Sequence, residues 1–102
     1  GSSNLSVNDG VFIGQDSRAA ASGGTNEIVI GRQAIGRGSN TVMLGNSNTT
    51  DVYFGNGYKF SGAAAPASAS APGEEGEIRI DSSFIYVCVA PNTWVRAALS
   101  SW

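Results

Sequence analysis

The segment that decides the fold is residues 77–99, which read EIRIDSSFIYVCVAPNTWVRAAL. Its first five residues alternate between charged and apolar types, as a β-strand with one wet face does. Residues 84–90 are apolar throughout, which is typical of a central strand covered on both faces. Polar and turn-forming residues at 82–83 and 91–93 separate the apolar runs. The segment therefore predicts a three-stranded antiparallel meander.

The lengths of the two turns fix the predicted register. A two-residue turn at 82–83 pairs Ile80 with Ile85, and a three-residue turn at 91–93 pairs Val89 with Val95. In this register the charged side chains fall on one face, which is the predicted polar face, and a slip of one residue would mix the two faces. The opposite face is wholly apolar and is the predicted interface between copies of the chain: Ile78, Ile80, Ile85, Val87, Val89, Val95, Ala97 and Leu99.

The apolar face of the meander requires a partner. A three-stranded sheet of this size is marginal alone, and no stretch of the chain has a helical period that would cover it. Burial of eight such side chains represents roughly several kcal/mol at ~25 cal/mol per Å². Symmetric self-association lets equivalent chains bury these faces together.

A repeat occupies the first part of the chain. Four apolar triplets each end in glycine, at 11–14, 28–31, 42–45 and 52–55, and the interval between successive glycines shortens along the chain. Gly-, Asn- and Ser-rich segments separate them, so the pattern predicts short strands between tight turns. A strand-turn unit of this length indicates a short β-solenoid or a β-prism-like stack. Its predicted interface residues are Ile28, Ile30, Val42 and Leu44.

The chain divides into three predicted parts. Residues 1–60 form the repeat region, and residues 77–102 form the meander. Residues 61–76 contain no large side chain, and two prolines oppose a continuous helix, so they predict an extended connector. The predicted fold class is all-β.

Composition excludes several kinds of protein. The chain has 102 residues, a formal net charge of -2, no histidine and one cysteine. The lack of basic excess argues against nucleic acid, and the absence of histidine argues against most transition-metal sites and Ser-His chemistry. No apolar run reaches the ~18 residues of a membrane helix. We therefore expect no cofactor, no metal, no nucleic acid and no membrane insertion, and we expect Cys88 to be a buried small hydrophobe.

Aromatic residues are the candidate receptor contacts. Packing is the commoner role of such side chains, and stacking on a sugar is the functional alternative. The candidates are Tyr53, Tyr58, Phe60, Trp94 and Trp102.

Two segments resemble known protein families. NEIVIG at 26–31 and AIGRGSNTVMLG at 34–45 resemble the head repeat of trimeric autotransporter adhesins, which also occurs in bacteriophage tail fibres and tailspikes. GEIRID at 76–81, YVCVA at 86–90 and NTWVRAAL at 92–99, with Trp102, resemble the terminal segment of many phage tail-fibre and virion appendage proteins. The resemblance implies an intertwined homotrimer at the C-terminal end of a tail fibre or spike. Such a module is located in the virion, acts outside the cell and presents a surface to a host glycan or outer-surface receptor.

Two alternatives remain open. The head of a bacterial trimeric adhesin requires a stalk and a membrane anchor beyond Trp102. A tailspike glycosidase requires two carboxyl groups about 5 to 9.5 Å apart in a groove. The candidate carboxyl groups are those of Asp16, Glu27, Asp51, Glu74, Glu75 and Asp81. We expect a structural and adhesive protein that is not an enzyme, in which Glu27 and Asp51 are solvated or cap turns and Glu74 and Glu75 are solvated.

Overall fold

The computed structural model describes residues 7–60 and 64–102 of the chain. The first six residues of the predicted repeat region and residues 61–63 of the predicted connector lie outside the described residues. Every regular element within the described ranges is a β-strand. The prediction of an all-β fold is therefore confirmed. The chain forms two compact units, Gly1–Tyr53 and Phe54–Trp102.

The first unit is built from short parallel strands. Two of them, β1 (Val7–Asn8) and β3 (Gly24–Thr25), pair with each other. The other three form one sheet, in which β4 (Ile28–Ile30) lies between β2 (Val11–Ile13) and β5 (Val42–Leu44).

The register of this sheet follows the spacing of the repeat. Val11 pairs with Ile28, and Ile28 pairs with Val42, so the first residues of three successive triplets lie side by side. The middle residues of the three strands, Phe12, Val29 and Met43, form one column on the inner side, where Val29 is fully buried. Alternation along a strand then places the flanking residues of each triplet on the outer side.

The turns also repeat in register. The glycine after each of these three triplets has a positive φ, 121° at Gly14, 138° at Gly31 and 87° at Gly45, as a sharp turn after a short strand requires. Two residues before each triplet stands a left-handed residue: Asp9, Asn26 or Asn40. Such residues tolerate this conformation better than most.

The fourth predicted strand is absent. Residues 52–54 are not a strand, and the described chain there contains only an isolated bridge between Gly55 and Gly57. The interval from Gly45 to Gly55 is shorter than the intervals that separate the paired strands. The segment between β5 and residues 52–54 is therefore too short to bring this triplet alongside β5, and the two do not pair. The prediction of a short strand at 52–54 is wrong.

The second unit contains the predicted meander. Its strands are β6 (Ile78–Ile80), β7 (Phe84–Ala90) and β8 (Thr93–Ala98), in antiparallel order β6-β7-β8. Ile80 pairs with Ile85 and Ile78 pairs with Val87. The predicted register of the first hairpin is therefore confirmed.

The second hairpin differs from its predicted register by two residues. Val87, and not Val89, pairs with Val95. Ala90 pairs with Thr93 across a two-residue turn in which Asn92 has a φ of 53°, and the pairing is irregular between Cys88 and Ala90. A β-bulge at this point adds one residue to β7. Because the total slip is two residues, the paired side chains keep their predicted faces.

The core of the second unit lies on the face that we predicted to be polar. Tyr86, Cys88 and Trp94 are buried there, with Ala65 and Ala71 packed against them. The cover comes from the segment before the meander, which bonds to it through Trp94 N–H to the carbonyl of Ala69 at 2.8 Å. The expected burial of Cys88 is confirmed. The prediction that this face is the polar one is wrong, because its aromatic side chains are covered by small residues.

Candidate functional site

The apolar face of the meander is exposed. Val95 and Leu99 are each 51% exposed and Val89 is 47% exposed. Ile85 and Val87 are half-buried, and Ile78, Ile80 and Ala97 are exposed. We call these eight residues the meander face. They are the residues predicted for the interface, and their solvent-facing placement is what an interface between chains needs.

A second apolar surface lies on the outer side of the first unit. The residues on either side of the inner column form two outer columns in the parallel register. Val42 is 59% exposed, Leu44 is 46% exposed, and Ile28 and Ile30 are half-buried. The outer columns contain one residue from each of the three strands: Val11, Ile28 and Val42 in the first, and Ile13, Ile30 and Leu44 in the second.

Most of the candidate receptor contacts are on the surface. Tyr58 stacks with Phe54 at a centroid distance of 4.8 Å and meets Phe60 edge-on at 4.9 Å. Tyr53 and Trp102 are also exposed. Trp94 differs from these four candidates, because its side chain is buried and its indole N–H donates to the carbonyl of Ala71 at 3.0 Å.

A pocket of about 320 Å³ opens on the covered side of the meander. Sequence analysis did not find it, because one wall comes from small residues without a functional signature. The alternation of the strands predicts Tyr86, Cys88, Trp94 and Arg96 on one face, but nothing in the pattern predicts that residues 66–69 form the opposite wall. The pocket is lined by Pro66, Ala67, Ser68, Ala69, Tyr86, Trp94, Val95 and Arg96.

Charged and aromatic groups meet beside this pocket. The guanidinium carbon of Arg96 lies 3.9 Å from the centre of the Phe84 ring, a cation-π arrangement. The Tyr86 hydroxyl donates to Asp81 at 2.7 Å. This bond, with the backbone N–H groups of Ser83 and Phe84, lowers the pKa of Asp81 below its ordinary value. The same carboxylate raises the pKa of Tyr86.

The carboxyl groups have structural roles where their contacts are described. Glu27 is fully buried, and its Oε2 accepts hydrogen bonds from the backbone N–H groups of Ala20 at 3.1 Å and Gly38 at 3.2 Å. The expectation of a solvated Glu27 is therefore wrong, and its carboxylate instead caps the backbone of two bends from the interior of the first unit. Glu77 forms an ion pair with Arg79 at 3.0 Å.

Metal binding and membrane crossing each require a specific structural feature. Within residues 7–60 and 64–102, no group of three or more metal-ligating side chains comes together. The same ranges contain no helix with the length and apolar character to cross a bilayer.

The comparisons with known proteins point to phages of Klebsiella. The chain is 62% identical over 37 residues to "Depolymerase 1, capsule K30/K69-specific" of Klebsiella phage K5-2. It is 33% identical over 39 residues to "Depolymerase, capsule K30/K69-specific" of Klebsiella phage K64-1. The matches cover 36% and 38% of this chain and 5% of each relative. No protein-family model matches the chain, and no solved structure matches it.

These matches relate part of the chain to phage proteins, as the resemblance implied. They also correct one expectation. Both relatives are named as depolymerases, which are enzymes, and these matches overturn the prediction of a protein that is not an enzyme. The chain spans about 5% of the length of each curated relative, and the similarity to an adhesin head stays a prediction.

Proposed function

We propose that this chain is a homotrimerisation module of a phage tail spike whose complete protein is a capsule depolymerase. The observation that carries the proposal is the exposure of the meander face on one side of a sheet whose other side is covered. The matches to phage depolymerases support the protein class. The trimeric state rests on the resemblance to phage fibre ends.

Assembly explains why the apolar side chains are outside. Complete burial of a Val, Leu or Ile side chain contributes about 1.5–3 kcal/mol relative to full exposure. Several residues of the meander face are about half exposed, so each chain gains part of this free energy on association. A three-fold axis brings three equivalent faces together and leaves no unpaired copy.

The first unit fits the same proposal as a short β-solenoid. Its chain returns twice to the parallel register, from β2 to β4 and from β4 to β5, and the outer columns are apolar. Three copies that pack these columns around an axis form a fibre segment. Such a spike belongs to the virion and acts outside the host cell.

The proposed second role of the module is contact with the host surface. Both relatives are named for a capsule, and aromatic side chains are exposed at Tyr53, Tyr58, Phe60 and Trp102. Exposed aromatic groups present large contact areas at a small cost in conformational entropy. A host glycan is the partner that this surface and the names of the relatives favour.

The assembly proposal is tested by the mass of the chain in solution. Light scattering during size exclusion is expected to give three times the chain mass of 10.4 kDa at several concentrations. Val95→Asp introduces a charge at a position that is 51% exposed in the single chain, so the chain keeps its fold but the buried charge opposes assembly. Ser82→Asp adds the same charge at an exposed turn and is the matched control. A wild-type monomer, or a trimer that survives Val95→Asp, contradicts the proposal.

A further inference from the structure

The pocket beside Arg96 lies on the side of the meander that assembly leaves uncovered. Its strand residues Tyr86, Trp94 and Arg96 alternate with Val87, Val95 and Ala97 of the meander face. Alternate residues of a strand point to opposite sides of the sheet. The side chains of Tyr86, Trp94 and Arg96 therefore point away from the face that we assign to the trimer interface, whereas Val95, which also borders the pocket, belongs to that face.

The walls of the pocket are held in place before any ligand arrives. The Trp94 indole is fixed by its bond to Ala71, and its backbone N–H is fixed by the bond to Ala69. The Tyr86 hydroxyl is held by Asp81. Fixed side chains lose little conformational entropy on binding, which favours affinity for a small ligand.

The charge at the edge of the pocket is positive. Arg96 packs over Phe84, and its charge also acts on the Tyr86 hydroxyl and, through space, on the Asp81 carboxylate. The nearby Asp81 carboxylate is engaged by Tyr86 and by two backbone N–H groups. A guanidinium group has five N–H donors and binds carboxylates with two parallel hydrogen bonds, so Arg96 keeps donors for a carboxylate ligand beside its contacts with Phe84 and Tyr86.

The size and lining of the pocket indicate which chemical group accompanies the carboxylate in the ligand. The volume of about 320 Å³ is at the lower end of the range for small-molecule pockets. Two aromatic rings and the small residues 66–69 form its walls, with hydroxyl and guanidinium groups among them. A sugar ring has apolar C–H faces and a polar edge, and a uronic acid adds one carboxylate.

We propose that the pocket formed by Tyr86, Trp94, Arg96 and residues 66–69 binds an acidic sugar unit of a polysaccharide. This inference rests on the proposed function, since a capsule-directed spike is what brings the module to a polysaccharide. The Arg96 guanidinium group binds the sugar carboxylate, and the sugar ring packs against the aromatic wall. The pocket gives the module a point of contact with the polymer beside its assembly role.

The test is a nuclear magnetic resonance titration of the complete chain, labelled with ¹⁵N, against sodium glucuronate, glucose and inorganic phosphate. Glucuronate is expected to shift the Trp94 indole signal and the backbone signals of residues 67–69 and 96 in a saturable way. Glucose is expected to bind at least about tenfold more weakly, because it has no carboxylate to form a charge-assisted pair with Arg96. Equal shifts with glucuronate and glucose contradict the role of the charge. Shifts with phosphate that match those with glucuronate contradict the sugar assignment.

Two arginine variants separate the pocket from the rest of the surface. Arg96→Gln is expected to weaken glucuronate binding at least about tenfold, whereas Arg79→Gln, whose arginine pairs with Glu77, keeps the wild-type affinity. Equal affinities of the two variants overturn the proposal. Light scattering on the same samples distinguishes the two proposals: a trimer without glucuronate shifts refutes the pocket alone, and a monomer with specific shifts refutes the assembly module alone.

Discussion

The carboxyl group of Glu27 occupies the space that a side chain at position 36 would need. A Cβ atom built on Gly36 overlaps Glu27 Oε2 and lies 2.7 Å from its Cδ atom. Glu27 is fully buried and Gly36 is also buried, so neither residue can move into solvent. The packing of the first unit therefore depends on glycine at this position.

Gly36→Ala is expected to destabilise the first unit by at least about 1–3 kcal/mol, the usual cost of overpacking a core. Denaturant unfolding followed by the exchange of backbone amides in residues 7–53 measures the effect. Gly55→Ala is the matched control, because no heavy atom lies within 4 Å of its added Cβ. A Gly36→Ala variant as stable as Gly55→Ala contradicts this packing.

Glu27→Ala is expected to release two backbone hydrogen bonds at once. The N–H groups of Ala20 and Gly38 lose their acceptor, and the loss of each part-buried hydrogen bond costs about 0.5–1.5 kcal/mol. Hydrogen exchange at Ala20 and Gly38 is expected to accelerate more than exchange in the second unit. Glu27→Gln retains one oxygen as acceptor, so its exchange rates at Ala20 and Gly38 are expected to lie between those of the wild type and those of Glu27→Ala. Glu75→Ala, at an exposed residue, is the control with unchanged exchange.

Tyr86→Phe is expected to raise the pKa of Asp81 toward its ordinary value, because the hydroxyl bond is the main cause of the lowered pKa. A lowered pKa in the folded state contributes stability above the unfolded value of about 3.9, and that stability is lost as pH falls through the folded value. As the pH falls below about 4, the wild-type chain is therefore expected to lose more stability than the variant. A carbon-detected titration of Asp81 and unfolding at several pH values measure both effects. Tyr58→Phe removes an exposed hydroxyl and serves as the control.

The same hydrogen bond predicts a loss of stability in alkali. The pKa of Tyr86 is raised in the folded state, so its contribution is complete below the unfolded value of about 10 and disappears as pH rises through the folded value. Unfolding from pH 8 upward is expected to show this loss in the wild type and not in Tyr86→Phe. An identical alkaline profile for the two proteins would refute the role of this bond.

The proposed assembly is expected to persist at high salt. Apolar burial is strengthened by sulfate, whereas exposed ion pairs are screened over about 3 Å at 1 M salt. Sedimentation velocity in 0.05 M and 1 M sodium chloride, and in sodium sulfate, measures the assembled fraction. Dissociation in 1 M sodium chloride would mean that charges and not the meander face hold the chains together.

The first hairpin could be predicted from the sequence because the alternation of apolar residues and the length of the turn give the same register. Alternation around 82–83 fixed the first hairpin, and the pairing of Ile78 with Val87 follows directly. The second hairpin is shifted by two residues because its turn is one residue shorter than predicted and a bulge near Val89 adds one residue to β7, and a bulge leaves no mark in the hydrophobic pattern. The faces were nevertheless assigned to the correct residues, because a shift of two preserves their alternation.

The cover of the meander and the pocket could not be predicted from composition. Residues 64–73 contain only Ala, Ser, Pro and Gly, which is also the composition of a flexible linker. Their contribution comes from backbone carbonyl groups that bond to Trp94 and from small side chains that fit against aromatic rings. Burial of Glu27 was missed for a similar reason, because its partners are backbone N–H groups that have no signature in the sequence.

The parallel register of the first unit gives this fold a simple way to change in length. Each strand of the sheet contacts its immediate neighbours, and the columns continue in line from β2 through β4 to β5. A second copy of residues 31–44 inserted after Leu44 adds one more strand spacing, about 4.8 Å, without turning any inward side chain outward. Insertions and deletions of whole repeats can therefore adjust how far the module extends, while the pattern of buried and exposed residues stays the same.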